Sequence, residues 1–106
     1  MPKLVRRRYL ALRVVSEQHV NERAVIDAVW NAVLELFGEY GASQTNVSLI
    51  EYDPRRNFVV VRCSHTALER VRASVASVIK IDGKPAVIHV MGVSGTLRTL
   101  HKKVST

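Results

Sequence analysis

The side chains that could do chemistry in this 106-residue sequence are nine carboxylates, four histidines and one cysteine. Metal-assisted hydrolysis needs several carboxylates converging on one or two ions. Most of the acids here fall along the solvent stripe of the first predicted helix, and only Glu69 and Asp82 follow residue 53. Glu51 and Asp53 share a strand face, but the sequence offers them no third ligand. His19, His65, His89 and His101 lack metal-ligand spacing, and His89, in an apolar strand, reads as a structural or sheet-face residue. Cys63 also sits in an apolar strand, where a thiol is a small core residue rather than a nucleophile. One cysteine can form neither an intramolecular disulfide nor a cysteine zinc cage. There is no phosphate-binding loop of the nucleotide-hydrolase kind. The expectation is no catalytic residue, no metal ligand and no cofactor bound by the chain itself.

Anion binding has better support. Gly92-Val93-Ser94-Gly95-Thr96-Leu97-Arg98 gathers small residues at a predicted helix start, where free backbone N–H groups suit a phosphate. Arg98, Lys102 and Lys103 then carry positive charge along the following turns; the same Ser94-Gly95-Thr96 turn also serves as an ordinary helix entry. Arg6-Arg7-Arg8 forms a basic arm, either phosphate-binding or merely solvated, and Arg55-Arg56 lies at a predicted hairpin tip. Net charge is +7 and unevenly spread: +5 over residues 1–16, −6 over 17–53 and +8 over 54–106. Segregated charge suggests one surface facing a polyanion and another facing elsewhere. Arginine outnumbers lysine, and the planar guanidinium grips phosphates and bases bidentately.

The elements that must position these residues follow from periodicity. With 47% hydrophobic and 24% charged residues, the composition is that of an ordinary globular chain, expected to form one domain over 1–106 with a basic N-terminal arm (1–8) and a basic C-terminal tail (94–106). Tyr9 to Val15 alternates as a half-buried strand, with Leu10, Leu12 and Val14 on one side. Asn21 caps a helix expected to run to about Phe37, where Gly38 and Gly41 supply stop signals. Ile26, Val29, Val33 and Phe37 form its inner stripe; Trp30 and Leu34 widen it, as core or as a second, protein-facing surface. Val47–Asp53 and Phe58–Ser64 are strands joined by Pro54-Arg55-Arg56-Asn57. Thr66 and Glu69 read as a capping box for a helix carrying Leu68, Val71, Val75, Val78 and Ile79 inward. Asp82-Gly83 is a turn, Ala86–Val93 a last strand, and Leu97–Val104 a short basic helix.

The order β-α-β-β-α-β predicts an α+β, ferredoxin-like or RRM-like fold: a four-stranded antiparallel sheet with helices on one face, plus the short C-terminal helix. The first and third strands would lie at its centre, placing Tyr9, Arg13, Phe58, Val60 and Arg62 on the helix-free face. Tyr9 and Phe58 could stack bases there. Equally, Val60, Val87 and Met91 make that face apolar enough to need a cover, from the C-terminal segment or a partner. The basic N-terminus is not followed by an uninterrupted apolar run, and no stretch of about 18 apolar residues occurs, so cytoplasmic residence without membrane contact is expected.

Taken together, Arg8-Tyr9-Leu10, Phe37-Gly38-Glu39-Tyr40-Gly41-Ala42, Val61-Arg62-Cys63 and Val93-Ser94-Gly95-Thr96-Leu97-Arg98-Thr99 resemble ribonuclease P protein component 2, the Pop-five family, in its archaeal form. The resemblance spans nearly the whole chain, and the Ser94–Thr99 segment is its most specific part. It implies a non-catalytic subunit of an RNA enzyme that removes 5′ leaders from precursor tRNA, with Mg2+ held by the RNA. It also implies ribonuclease P RNA and a TIM-barrel-like protein subunit as partners, with self-association giving two copies of each. Two other readings stay open: a ferredoxin-like protein-interaction or ligand-sensing domain, and a generic RRM-type single-stranded RNA binder.

Overall fold

The computed structural model describes residues 6–104, so the first part of the basic arm lies outside the described residues. Strand β1 (Arg7–Val15) leads to helix α1 (Glu22–Ser43), then to the hairpin β2 (Ser48–Asp53) and β3 (Phe58–Ser64). A 3-10 turn (His65–Ala67) enters helix α2 (Leu68–Ser77). A two-stranded ribbon, β4 (Lys80–Ile81) and β5 (Lys84–Pro85), precedes strand β6 (Val87–Ser94) and helix α3 (Leu97–Val104). The main sheet has the order β2-β3-β1-β6, with every neighbouring pair antiparallel. This is the expected ferredoxin-like arrangement, with β1 and β3 central.

Alternation along the strands decides what each face buries. Leu10, Leu12 and Val14 of β1, with Val59, Val61 and Cys63 of β3, point to the helices and join Val25 and Val29 of α1 and Val71 and Val75 of α2 in the main core. Ala11 and Val60 point the other way. Asn21 caps α1 as expected, its Oδ1 accepting from the Ala24 N–H at 2.8 Å.

Three local expectations are corrected, and a fourth, the Asp82-Gly83 turn, holds with an added detail. Helix α1 does not stop at Phe37: Gly38 adopts φ +74° and ψ 177°, which kinks the chain, and helical geometry resumes to Ser43. A left-handed glycine here redirects the helix instead of ending it, and it leaves Phe37 partly exposed rather than in the inner stripe. The Thr66–Glu69 capping box does not form, because Thr66 lies inside the 3-10 turn and α2 starts at Leu68 with no side-chain cap. Ile79 is 72% exposed: α2 ends at Ser77 and Val78 is extended, so Ile79 has left the helical phase. The Asp82-Gly83 turn, with φ +54° and +77°, closes the small β4–β5 ribbon, which the sequence had shown only as a turn.

Helix α3 lies across the helix-free side of the sheet. Leu100 is fully buried there with Ala11 and Val60, and Leu97, Val104, Tyr9, Ile50 and Phe58 pack around them. A Cβ on Gly92 would come within 3.2 Å of Val104 Cγ1 and 3.7 Å of Leu100 Cδ1; the bare glycine lets the helix approach β6. Two polar contacts flank it: His101 Nε2 to Glu51 Oε1 on β2 at 3.1 Å, and Lys103 Nζ donating to the Val93 carbonyl at 2.9 Å. Removing a buried leucine leaves both lost transfer energy and a cavity. Leu100→Ala should therefore destabilise the protein by about 2–5 kcal/mol, read as a drop in the urea midpoint; an unchanged midpoint would show that α3 is only loosely laid on the sheet.

Candidate RNA interface

The predicted basic residues fall at two ends of the sheet. At one end β1 begins while β3 and β6 finish. Arg7 faces Ser64, Tyr9 faces Arg62 on one side and Ser94 on the other, and Gly95 and Thr96 follow directly. A Cβ at position 95 would lie 3.2 Å from Arg8 Nη1, so the Arg8 guanidinium rests over the one residue that leaves it room. Arg98 projects from the first turn of α3 and is exposed. Arg8 thus lies against the Ser94-Gly95-Thr96 turn with Arg98 on the turn after it, while Arg7 and Arg62, at the same sheet end, line a groove under α1 and the Arg6 carbonyl accepts from the His65 N–H.

The turn itself is more self-satisfied than its sequence suggested. Thr96 is the N-cap of α3: its Oγ1 accepts from the Thr99 N–H at 3.2 Å and its hydroxyl donates to Thr99 Oγ1 at 2.8 Å. Its carbonyl accepts from the Leu100 N–H at 3.1 Å. Ser94 is buried, and its hydroxyl accepts from the Thr96 N–H at 3.4 Å. Two N–H groups expected to be free for phosphate are therefore occupied by side chains, and anion attraction at this corner rests mainly on arginine charge.

Arg55 and Arg56 lie at the opposite end, in the β2–β3 turn, six β3 residues away, or about 20 Å at strand rise. Asp53 Oδ1 accepts from the Arg55 N–H at 3.1 Å, and the Arg56 guanidinium stacks over Phe58 with its carbon 5.6 Å from the ring centroid. Asn57 takes φ +50° to close the turn. Lys102 is exposed at the end of α3, whereas Lys103 bridges back to β6. The five residues expected together on the open face are split: α3 covers Tyr9 and Val60, Phe58 sits at the cover's edge, Arg62 is half-buried at the far end, and Arg13 stays exposed.

No sequence signal announces a groove of about 890 Å3 beneath the outer flank of α1, lined by Trp30, Leu34, Ala42, Val47, Arg7 and Arg62, among others. Leu34 and Glu39 line it, and Leu36, Phe37 and Tyr40 are exposed in the same stretch of α1, as is Glu35. Trp30 packs partly on the core, so of the two residues left open between core and surface, Trp30 goes to the first and Leu34 to the second.

Among the described residues, no cluster of three or more His, Cys, Asp or Glu side chains could hold a metal ion, and no helix is long and apolar enough to cross a membrane. In the comparison to known proteins, the Rpp14/Pop5 family model matches residues 8–105. The chain belongs to the Rpp14/Pop5 family. Ribonuclease P protein component 2 of Pyrococcus furiosus is 36% identical, over 92% of this chain and 82% of the relative. The Methanosarcina mazei protein of the same description is 31% identical, over 97% of this chain and 88% of the relative. These relatives place the chain among the protein subunits of ribonuclease P. A chain in the cryo-EM structure of yeast ribonuclease MRP shares the fold, with a TM-score of 0.73 at 18% identity, covering 92% of this chain and 80% of that one.

Cys63 also lines the groove but is itself buried. Burial pushes its thiol from the ordinary value of 9.0 up to about 11, against a smaller lowering by the Arg8 charge. A folded-state pKa above the unfolded one stabilises the fold below the unfolded value, and that contribution is lost as pH rises through the folded value. Between about pH 9 and 11 the wild type should lose more stability than Cys63→Ala, as urea midpoints would record. Equal losses would show that the thiol does not titrate with folding.

Proposed function

We propose that this protein is an RNA-binding subunit of ribonuclease P that performs no chemistry itself. It holds the catalytic RNA in its active fold, while the RNA carries the Mg2+ ions and cleaves the 5′ leader from precursor tRNA. The observation that carries the reading is the arginine-lined corner at Ser94-Gly95-Thr96, with Arg8 over Gly95 and Arg98 on the next turn, in a member of this family. Guanidinium groups on a rigid sheet end suit the phosphates of a folded RNA, whose spacing is fixed before binding. Arg55, Arg56 and Lys102 extend the contact to the far end.

The protein partner is proposed to sit elsewhere. Leu34, Leu36, Phe37 and Tyr40, the last 80% exposed, leave apolar surface around the second half of α1, with Glu35 and Glu39 between them. Acidic residues repel a polyanion, and exposed apolar side chains favour protein contact. The TIM-barrel-like subunit implied by the family resemblance is the proposed occupant, in an assembly with two copies of each protein, working in the cytoplasm.

Binding to ribonuclease P RNA should weaken steeply with salt, because each phosphate contact releases counterions. Arg8→Ala and Arg98→Ala should each lower affinity and reduce the salt slope by about one, measured by filter binding across a salt series. With the partner subunit present, the wild type should restore precursor tRNA cleavage at low Mg2+. If the two proteins leave cleavage by the RNA unchanged, the proposal is wrong.

A further inference from the structure

Helix α3 covers only part of the sheet's helix-free face. Register places Asp53, Phe58, Arg13 and His89 in one row across all four strands: Asp53 opposite Phe58, Phe58 opposite Arg13, and Arg13 opposite His89. Partners in an antiparallel row share a face, with Cβ atoms about 5 Å apart. Arg13 and His89 are exposed and Phe58 is half-buried. The next pair toward the sheet end, Val15 and Val87, is 50% and 47% exposed, which gives the patch an apolar floor. Arg56 already lies over the Phe58 ring, and a cavity of about 540 Å3 opens beside it, lined by Phe58, Arg56, Pro54 and His101.

The charge of this end favours a polyanion. Arg13, Arg55 and Arg56 stand here, with Lys84 near the valine pair. Of the three acids around them, Asp53 accepts from the Arg55 N–H, Glu51 contacts His101, and Glu17 lies at the far rim beside Val15 and Val87. A protein-docking patch tends to be depleted in charge at its centre, whereas an aromatic ring set among guanidinium groups is the platform on which single-stranded nucleic acids stack.

We propose that this uncovered row is a binding site for unpaired RNA nucleotides. Phe58 stacks one base, Arg56 closes over the outer face of that base, and Arg13 and His89 take the adjoining phosphates. The site is separate from the Arg8–Gly95 corner, about 20 Å away along the strands, and it rests on the reading of the chain as an RNA-binding subunit. The corner would hold the rigid, folded part of an RNA while the row holds a flexible strand leaving it.

The full chain can be tested with an octauridylate carrying 5-iodouridine, photocrosslinked and mapped by mass spectrometry. The crosslink should fall on Phe58. Phe58→Leu keeps the apolar packing beneath α3 and removes the aromatic face, so its urea midpoint should hold while octauridylate affinity falls about tenfold. Arg13→Ala combined with His89→Ala should weaken binding several-fold, and a duplex of equal length should compete poorly. Crosslinks confined to the Arg8 corner, or an unchanged affinity in Phe58→Leu, would overturn the proposal. So would loss of binding to the partner subunit, instead of RNA, in these variants. If whole ribonuclease P RNA still binds with its Arg8- and Arg98-dependent salt slope, only this site fails; if that RNA does not bind at all, the subunit reading fails with it.

Discussion

Leu100, buried against Ala11 and Val60, is the contact on which the arrangement of both surfaces depends. A four-stranded sheet with helices on one side leaves its other side bare, and β1 and β3 place apolar residues there as well as inside. One short amphipathic helix resolves this by laying Leu97, Leu100 and Val104 across the centre. Once α3 is seated, Tyr9 and Val60 are no longer available as a stacking platform. The accessible side chains of that face are left at the margin, where Phe58, Arg13 and His89 stand. The same helix brings Arg98 to the corner where Arg8 meets Gly95. One packing event thus separates the sheet face into a sealed centre and two basic ends.

The surfaces also differ in what holds them in place. At the corner, hydrogen bonds from Thr96 and Ser94 fix the turn into α3, so the arginines sit on a preorganised scaffold. On α1 the Gly38 kink turns the last helical turn and presents Phe37 and Tyr40 outward. Acidic α1 and the basic sheet ends belong to different elements, so one small domain presents two chemically different surfaces.

The sequence carried the fold because its strongest signals were periodic. The alternation in Tyr9–Val15 and Phe58–Ser64 set which side chains face the helices, and those faces are the ones observed. The signals that misled were local ones. Gly38 and Gly41 looked like a stop, but a glycine at positive φ can bend a helix as readily as end one, and tertiary packing decides. Thr66 and Glu69 had capping-box spacing, yet the chain entered α2 through a 3-10 turn instead. Ser94-Gly95-Thr96 was legible as a special segment, but which of its N–H groups stayed free depended on hydroxyl orientations that no spacing encodes. The α1 groove left no trace in sequence because it exists only where Trp30, Val47 and Arg62 are brought together from distant positions.

Strand β6 closes one margin of the sheet, where an open row of peptide groups invites another chain to pair and aggregation to begin. Met91 is bulged out between Val90 and Gly92, which face Leu12 and Ala11 in turn, and the Lys103 ammonium occupies the Val93 carbonyl. The bulge breaks the repeat that a docking strand would have to match, and the lysine adds a charge that such a strand would have to bury. The lysine contact that flanks α3 therefore also guards the molecule against zipping onto copies of itself.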